Sequence, residues 1–245
     1  MNDQNLNSEI EQARVCVNQK QYQMAIDIYS DILNKASALY SVDDPVLAEL
    51  YLEYANALIC NSHELFISEL QSILKMKAAA LPDKEDDLEI AWNVVELAKN
   101  TFMVTKDHYN LYRAYFYLGE ILILNNEFSE SIKEYANSIT ELDIVSGNGK
   151  DMTYNSQYFE IYSRIASAYE FLKDYQNSSL YYKKCLDLQK NNGSEAVVDE
   201  LKFRIESLKE KDMELNVGRE TEETIENDDK PIIDINSLKK SKMNK

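Results

Sequence analysis

The chain has 245 residues, a formal net charge of −17, only five Gly and three Pro, and a mean hydropathy of −0.46. So few turn-making residues argue against strand-and-turn architectures and favour long helices joined by short polar loops. Every apolar run is broken well before the ~18 residues of a bilayer span, and a field of this sign repels nucleic acid and acidic lipid while attracting basic proteins.

Taken in order, Met1-Asn2-Asp3-Gln4-Asn5 has no basic stretch feeding an apolar one, so no secretory leader is expected. The first strong pattern is Tyr22-x2-Ala25-Ile26-x2-Tyr29-x2-Ile32-Leu33. Spacings of three and four place these side chains on one helical stripe. A second helix follows at Tyr51-x2-Tyr54-Ala55-x2-Leu58. Its partner is expected 12 positions after Ala55, but the matching small residue is Ala91, within Leu88 to Ala98. About 24 residues are therefore inserted, roughly 61–85. Two regular pairs come next. Tyr115-x2-Leu118-Gly119-x2-Leu122 precedes Phe128-x2-Ser131-Ile132-x2-Tyr135-x2-Ser138-Ile139, and Tyr162-x2-Ile165-Ala166-x2-Tyr169 precedes Tyr175-x2-Ser178-Ser179-x2-Tyr182-x2-Cys185-Leu186. Turns are expected near Asn125-Asn126 and Lys173-Asp174.

One template recurs at 22–33, 128–139 and 175–186: aromatic, small residue, aromatic, small or apolar residue. The small residue lets a neighbouring helix approach closely, and the aromatics fill the space beside it. This resembles the tetratricopeptide repeat, a helix–turn–helix unit of ~34 residues. The resemblance implies an all-α solenoid of four helical hairpins, the second interrupted by the insert. Residues 194–217, with Val197, Val198, Leu201, Ile205 and Leu208 in a stripe, read as a long capping helix that covers the last repeat. The repeat domain thus spans 1–217, and 218–245 reads as a disordered tail, acidic then basic.

Charge divides along the same line. From Asn216 onward seven acids face six bases, so the preceding 215 residues carry 36 acids against 20 bases, a net of −16. Acidity belongs to the helical body. Counted from the small residue of each first helix, the groove-facing positions include Glu49 and Asn56, then Phe116, Glu120 and Ile123, then Glu160, Ser167 and Glu170. A second acidic set, Asp83, Glu85, Asp86, Asp87 and Glu89, precedes the helix near Leu88; it is either a contact for Lys and Arg or a helix N-terminal turn that suits the dipole. Trp92, on an apolar stripe, reads as core.

An interrupted second repeat followed by regular ones and a basic end is similar to the nuclear autoantigenic sperm protein family of histone chaperones. The nearest local match is Asp87-Leu88-Glu89-Ile90-Ala91-Trp92-Asn93-Val94-Val95-Glu96-Leu97-Ala98-Lys99, where that family has an LExAWxxLxLAK-like helix. Tyr117-Leu118-Gly119-Glu120 and Asp234-Ile235-Asn236-Ser237-Leu238-Lys239-Lys240 resemble further family segments. The resemblance implies binding of the arginine-rich core histones three and four, alone or as a dimer, with escort to chromatin assembly. The protein would then be nuclear and shuttle with the cytoplasm; a homodimer is open. It also implies that Lys239, Lys240, Lys242 and Lys245 form an import signal for an import receptor. The insert is shorter and less acidic than that family's.

No catalytic, cofactor or metal site is expected. His63 and His108 lack a second ligand at helical metal spacing, and there is no phosphate loop, GxSxG or HExxH. Cys16, Cys60 and Cys185, odd in number and far apart, fit a reducing compartment. A groove for an acidic chaperone C-terminus would need cations at its clamp positions; these hold Ile10, Arg14, Arg113 and Tyr117, with Glu120 nearby. An adaptor for another basic or helical segment remains the competing reading.

Overall fold

A computed structural model describes residues 3–74, 84–189 and 194–228. Among them are nine α-helices and one short 3-10 turn, Met152–Tyr154. The helices are α1 (Asp3–Asn18), α2 (Tyr22–Ala36), α3 (Pro45–Leu74), α4 (Lys84–Thr105), α5 (His108–Leu124), α6 (Phe128–Ser146), α7 (Asn155–Phe171), α8 (Tyr175–Gln189) and α9 (Glu195–Asp228). Consecutive helices pack as hairpins α1–α2, α3–α4, α5–α6 and α7–α8, each stacked on the next, and α9 lies on α8.

The turns inside three hairpins share one geometry. Lys20, Asn126 and Lys173 are left-handed, with φ of 60°, 62° and 58°. The residue after each donates its N–H five positions back: Gln21 to Cys16, Glu127 to Leu122 and Asp174 to Tyr169. This closes the last turn of the first helix and reverses the chain. Two of the three positions are lysines, so the fold holds them in a conformation that L side chains adopt at a cost.

The small residues do the work their spacing suggests. Ala25, Ala55, Ala91, Gly119, Ser131, Ala166 and Ser178 are all buried. Ala13 belongs to the same set, 12 positions before Ala25 in α1, although the sequence reading stopped short of it. At Gly119 a Cβ would sit 2.5 Å from the Tyr135 ring, so only hydrogen fits without movement. Two serines of the stripe are satisfied across their hairpins: Ser178 Oγ donates to the Ala166 carbonyl (2.9 Å) and Ser138 Oγ to the Tyr112 carbonyl (2.8 Å). Cys185, in the position equivalent to Ser138, aims its thiol at the Phe159 carbonyl (3.7 Å). Burial pushes that thiol up to about 12, which makes it a packing residue and a poor nucleophile.

Two boundaries differ from expectation. α3 continues unbroken to Leu74, so the first part of the insert is an extension of the repeat's own helix. α9 continues to Asp228, past residue 217, and residues 218–228 are helical where disorder was expected. One glycine, Gly218, costs a helix only about 1 kcal/mol. Its neighbours are glutamates and other helix-compatible residues, and the next proline is Pro231. The buried stripe of α9 is Leu201, Ile205 and Leu208, which joins Ala166, Tyr182 and Cys185 to close the last hairpin.

Candidate protein-binding groove

The first helices of the hairpins present one continuous face. Its residues sit six before, two before and one after the small residue: Asn7, Glu11 and Arg14 on α1; Glu49, Glu53 and Asn56 on α3; Arg113, Tyr117 and Glu120 on α5; Glu160, Arg164 and Ser167 on α7. Three cavities lie along this face. One, of about 430 Å³, lies between α1 and α3 and includes Arg14, Glu49 and Glu53. A central one, of about 220 Å³, is lined by Asn56, Arg113, Phe116, Tyr117, Glu160 and Ile161. The third, of about 380 Å³, is closed by α9 and includes Ser167, Glu170, Arg204 and Lys211.

The second helices reach this face through one repeated contact. The tyrosine four positions after their small residue points to the residue just after the first helix's small residue. Tyr135 Oη donates to Glu120 (2.6 Å), and Tyr182 Oη meets Ser167 Oγ (3.2 Å). In the first hairpin Tyr29 Oη donates instead to Glu53 (2.8 Å), which is also bound by Arg14 (2.7 Å). Burial would raise the Glu53 carboxyl, but the Arg14 and Tyr29 hydrogen bonds outweigh it and hold it below the ordinary range. The interrupted hairpin has Val95 where the tyrosine would be, so Asn56 has no such tie and lines the central cavity.

Glu120 corrects one expectation. It is 3% exposed, and its carboxylate is consumed inside the protein. Besides Tyr135, Arg164 Nε lies 2.9 Å and His63 Nε2 3.1 Å from its oxygens. A carboxylate so enclosed joins α3, α5, α6 and α7 and is not open to a ligand. Glu170, which lines the third cavity, is also paired within the protein. Arg204 (3.2 Å) and Lys211 (2.9 Å) from α9 both bind it. Burial opposes ionisation there, yet these two hydrogen bonds win and keep its carboxyl low.

Of the other expected residues, Glu49, Asn56, Phe116 and Glu160 line the groove. Glu49 is exposed, with the Asn110 amide 3.5 Å away. Glu160 is open at the residue level, but the groove atoms around its carboxyl desolvate it; that and the nearby Glu120 charge raise its pKa. Ile123 packs half-buried against the core of α5–α7. Of the second acidic set, Asp87 and Glu89 lie away from the groove. Asp87 accepts from Asn61 (3.4 Å) between α3 and α4, and Glu89 lines a separate hollow with Trp92, Ile121 and Asn125. Glu85 and Asp86 stand at the start of α4. Asp83, Lys239, Lys240, Lys242 and Lys245 lie outside the described residues. Trp92 packs, partly buried, against the main core.

Arg113 and Arg164 complete the groove's charges. Arg113 donates to Asn110 (2.8 Å). Burial would depress its pKa, but the neighbouring Tyr117 and Glu53 raise it above the ordinary value. Glu53 and Arg164 were missed by the sequence reading, though both sit two positions before a small residue. Among the described residues no group of three His, Cys, Asp or Glu side chains is placed to hold a metal, and no helix is long and apolar enough to cross a membrane.

Stacked helical hairpins closed by a terminal capping helix define a tetratricopeptide-type solenoid. Comparison supports the class. The tetratricopeptide-repeat family model matches residues 159–192, the α7–α8 hairpin. The structure is similar to the nearly identical TPR-like repeats of a Podosopora anserina protein named for the kinesin light chain. The TM-score is 0.62 at 12% identity, over 91% of this chain and 94% of that one. A point-substituted form of the same repeats gives 0.60 at 14%, over 91% and 93%. No curated protein matches the sequence.

Proposed function

We propose that this protein is a histone chaperone, binding the arginine-rich core histones three and four and escorting them for nuclear import or chromatin assembly. The observation that carries the reading is where the charge resides: a net of −16 over the first 215 residues against −1 over the rest. α3 alone carries Glu49, Glu53, Glu64 and Glu69 with no Lys or Arg. The interrupted second repeat and the family-like helix at 87–99 support the same reading through resemblance. The test is direct titration of the full chain with a histone three–four dimer. Binding is expected at ~0.15 M salt and weakens as salt rises, because exposed charges are screened beyond ~8 Å. Absence of binding at that salt overturns the proposal. The tail lysines are the import signal in this reading. Replacing Lys239, Lys240, Lys242 and Lys245 with Ala should shift a tagged protein towards the cytoplasm.

A second reading, an adaptor for a different helical or basic segment, is favoured by a specific observation. Glu53, Glu120 and Glu170 are each paired with cations of the protein itself, so the groove is much closer to neutral than the body. Recovery of a non-histone partner that competes with histones for the groove would favour this alternative.

A further inference from the structure

We infer that the groove is electrically polarised and takes a partner segment of mixed charge, its basic end lying against α1 and α3 and its acidic end against α9. The inference rests on the groove being the docking surface, and not on the partner being a histone.

The charge changes from cavity to cavity in chain order. Between α1 and α3, Glu11, Glu49 and Glu53 face a single guanidinium, Arg14, leaving two negative charges. In the centre Arg113 balances Glu160, with Phe116 and Ile161 supplying apolar wall. At the α9 end Lys173, Arg204 and Lys211 face a single carboxylate, Glu170, leaving two positive charges. The sequence runs from −2 through zero to +2 along one face, within a body whose overall charge is strongly negative.

At each end ion pairs hold part of this charge in place. Arg14 is shared between Glu53 and Glu11 and neutralises only one of them. Glu170 is likewise shared by Arg204 and Lys211. Arg204 also stacks over the Tyr182 ring, 5.0 Å from its centroid, and Lys211 lies 5.9 Å from that of Tyr175. Arg204 and Lys211 are thus each braced by a carboxylate and an aromatic face. Beside them Phe171, 65% exposed and stacked on Phe128 at 4.7 Å, offers an apolar shelf. A segment bound the other way round would set its acids on Glu49 and Glu53 and its bases on three cations. Fixed like charges of this kind determine register and orientation more than they add affinity.

The test uses the full chain and labelled 21-residue helical peptides that share one leucine stripe. Two peptides carry a lysine third and a glutamate third, with the glutamates at the N-terminal end in one and at the C-terminal end in the other. A third has the same composition with its charges alternated. A benzoylphenylalanine beside the glutamates reports where that end lies. In both separated-charge peptides the acidic end is expected to cross-link the α9 segment around Arg204 and Lys211, whichever terminus it occupies. Each is expected to bind about tenfold tighter than the alternated peptide at ~0.15 M salt, where only local charge is felt. Lys173→Glu, at an exposed turn, should lower that preference several-fold with the melting temperature unchanged. Cross-links divided equally between α3 and α9, equal affinities, or no binding by any peptide would overturn the inference. Polarity could fail while histones still bind, and histones could fail to bind while the cross-links hold, so the two claims fall separately.

Discussion

Glu120 sits one residue after the glycine that lets α6 approach α5, and its carboxylate is almost wholly enclosed. A buried charge is tolerated only while its donors remain, because an unsatisfied one carries the full cost of desolvation. Tyr135→Phe removes one donor from a charged acceptor and should cost about 1.5–3 kcal/mol. Tyr182→Phe removes the equivalent hydroxyl from Ser167, a neutral partner at 3.2 Å, and should cost about 0.5–1.5 kcal/mol. Urea unfolding at pH 7 gives the comparison; a larger loss for Tyr182→Phe would mean that Glu120 is satisfied without Tyr135. Gly119→Ala tests the same contact from the other side. Alanine gains about 1 kcal/mol of helix propensity, but its Cβ meets a ring whose hydroxyl is tethered to Glu120. Overpacking of this kind costs about 1–3 kcal/mol, so the net effect is expected to be destabilising. The two changes share one ring and should not add.

Hairpin turns are where the repeat departs from its easiest chemistry. Lys20 is left-handed at 60°, in the same place as Asn126 and Lys173. An L side chain there costs roughly 1–2 kcal/mol that glycine does not incur, while glycine's freedom in the unfolded chain returns roughly 0.5–1. Lys20→Gly is therefore expected to stabilise by about 0.5–1 kcal/mol, read as a higher urea midpoint with an unchanged slope. A lower midpoint would mean that Lys20 makes contacts worth more than its strain. At this scale the sequence was highly legible. The aromatic and small-residue stripe marks α2 and α5 to α8, and the missing partner of Ala55 locates the interruption, because packing of neighbouring helices depends on residues three and four apart. What pairs with each groove acid was not legible. Arg14 and Glu53 are 39 positions apart, His63 and Glu120 57, and Glu170 and Lys211 41. No local pattern joins residues at such separations; only the stacking of hairpins brings them together. Residues 218–228 were misjudged for a different reason, since polarity lowers burial without forbidding helix.

Across the whole molecule the excess of acids makes pH the natural probe. Glu53 and Glu170 are held below the ordinary carboxyl value of 4.5. Their contribution to stability is full above that value and is lost as pH falls through their lowered ones. Glu160 runs the other way. Its carboxyl is raised above 4.5 by desolvation and by Glu120, so folding favours its protonated form. That contribution is present below pH ~4.5 and is lost as pH rises through the raised value, after which the ionised side chain opposes folding. Glu160→Gln keeps the shape and removes the charge. It should therefore be more stable than the parent at pH 7, by a few tenths of a kcal/mol because the residue is open to water, and the two should converge at pH 4. For a chain of this length such a gain moves the melting temperature by about 1 °C, so paired calorimetric scans at pH 7 and pH 4 are the measurement. A lower melting temperature for Glu160→Gln at pH 7 would mean that Arg164 or Arg113 holds the carboxylate favourably, and that the middle of the groove is balanced by direct pairing rather than by opposed, desolvated charges.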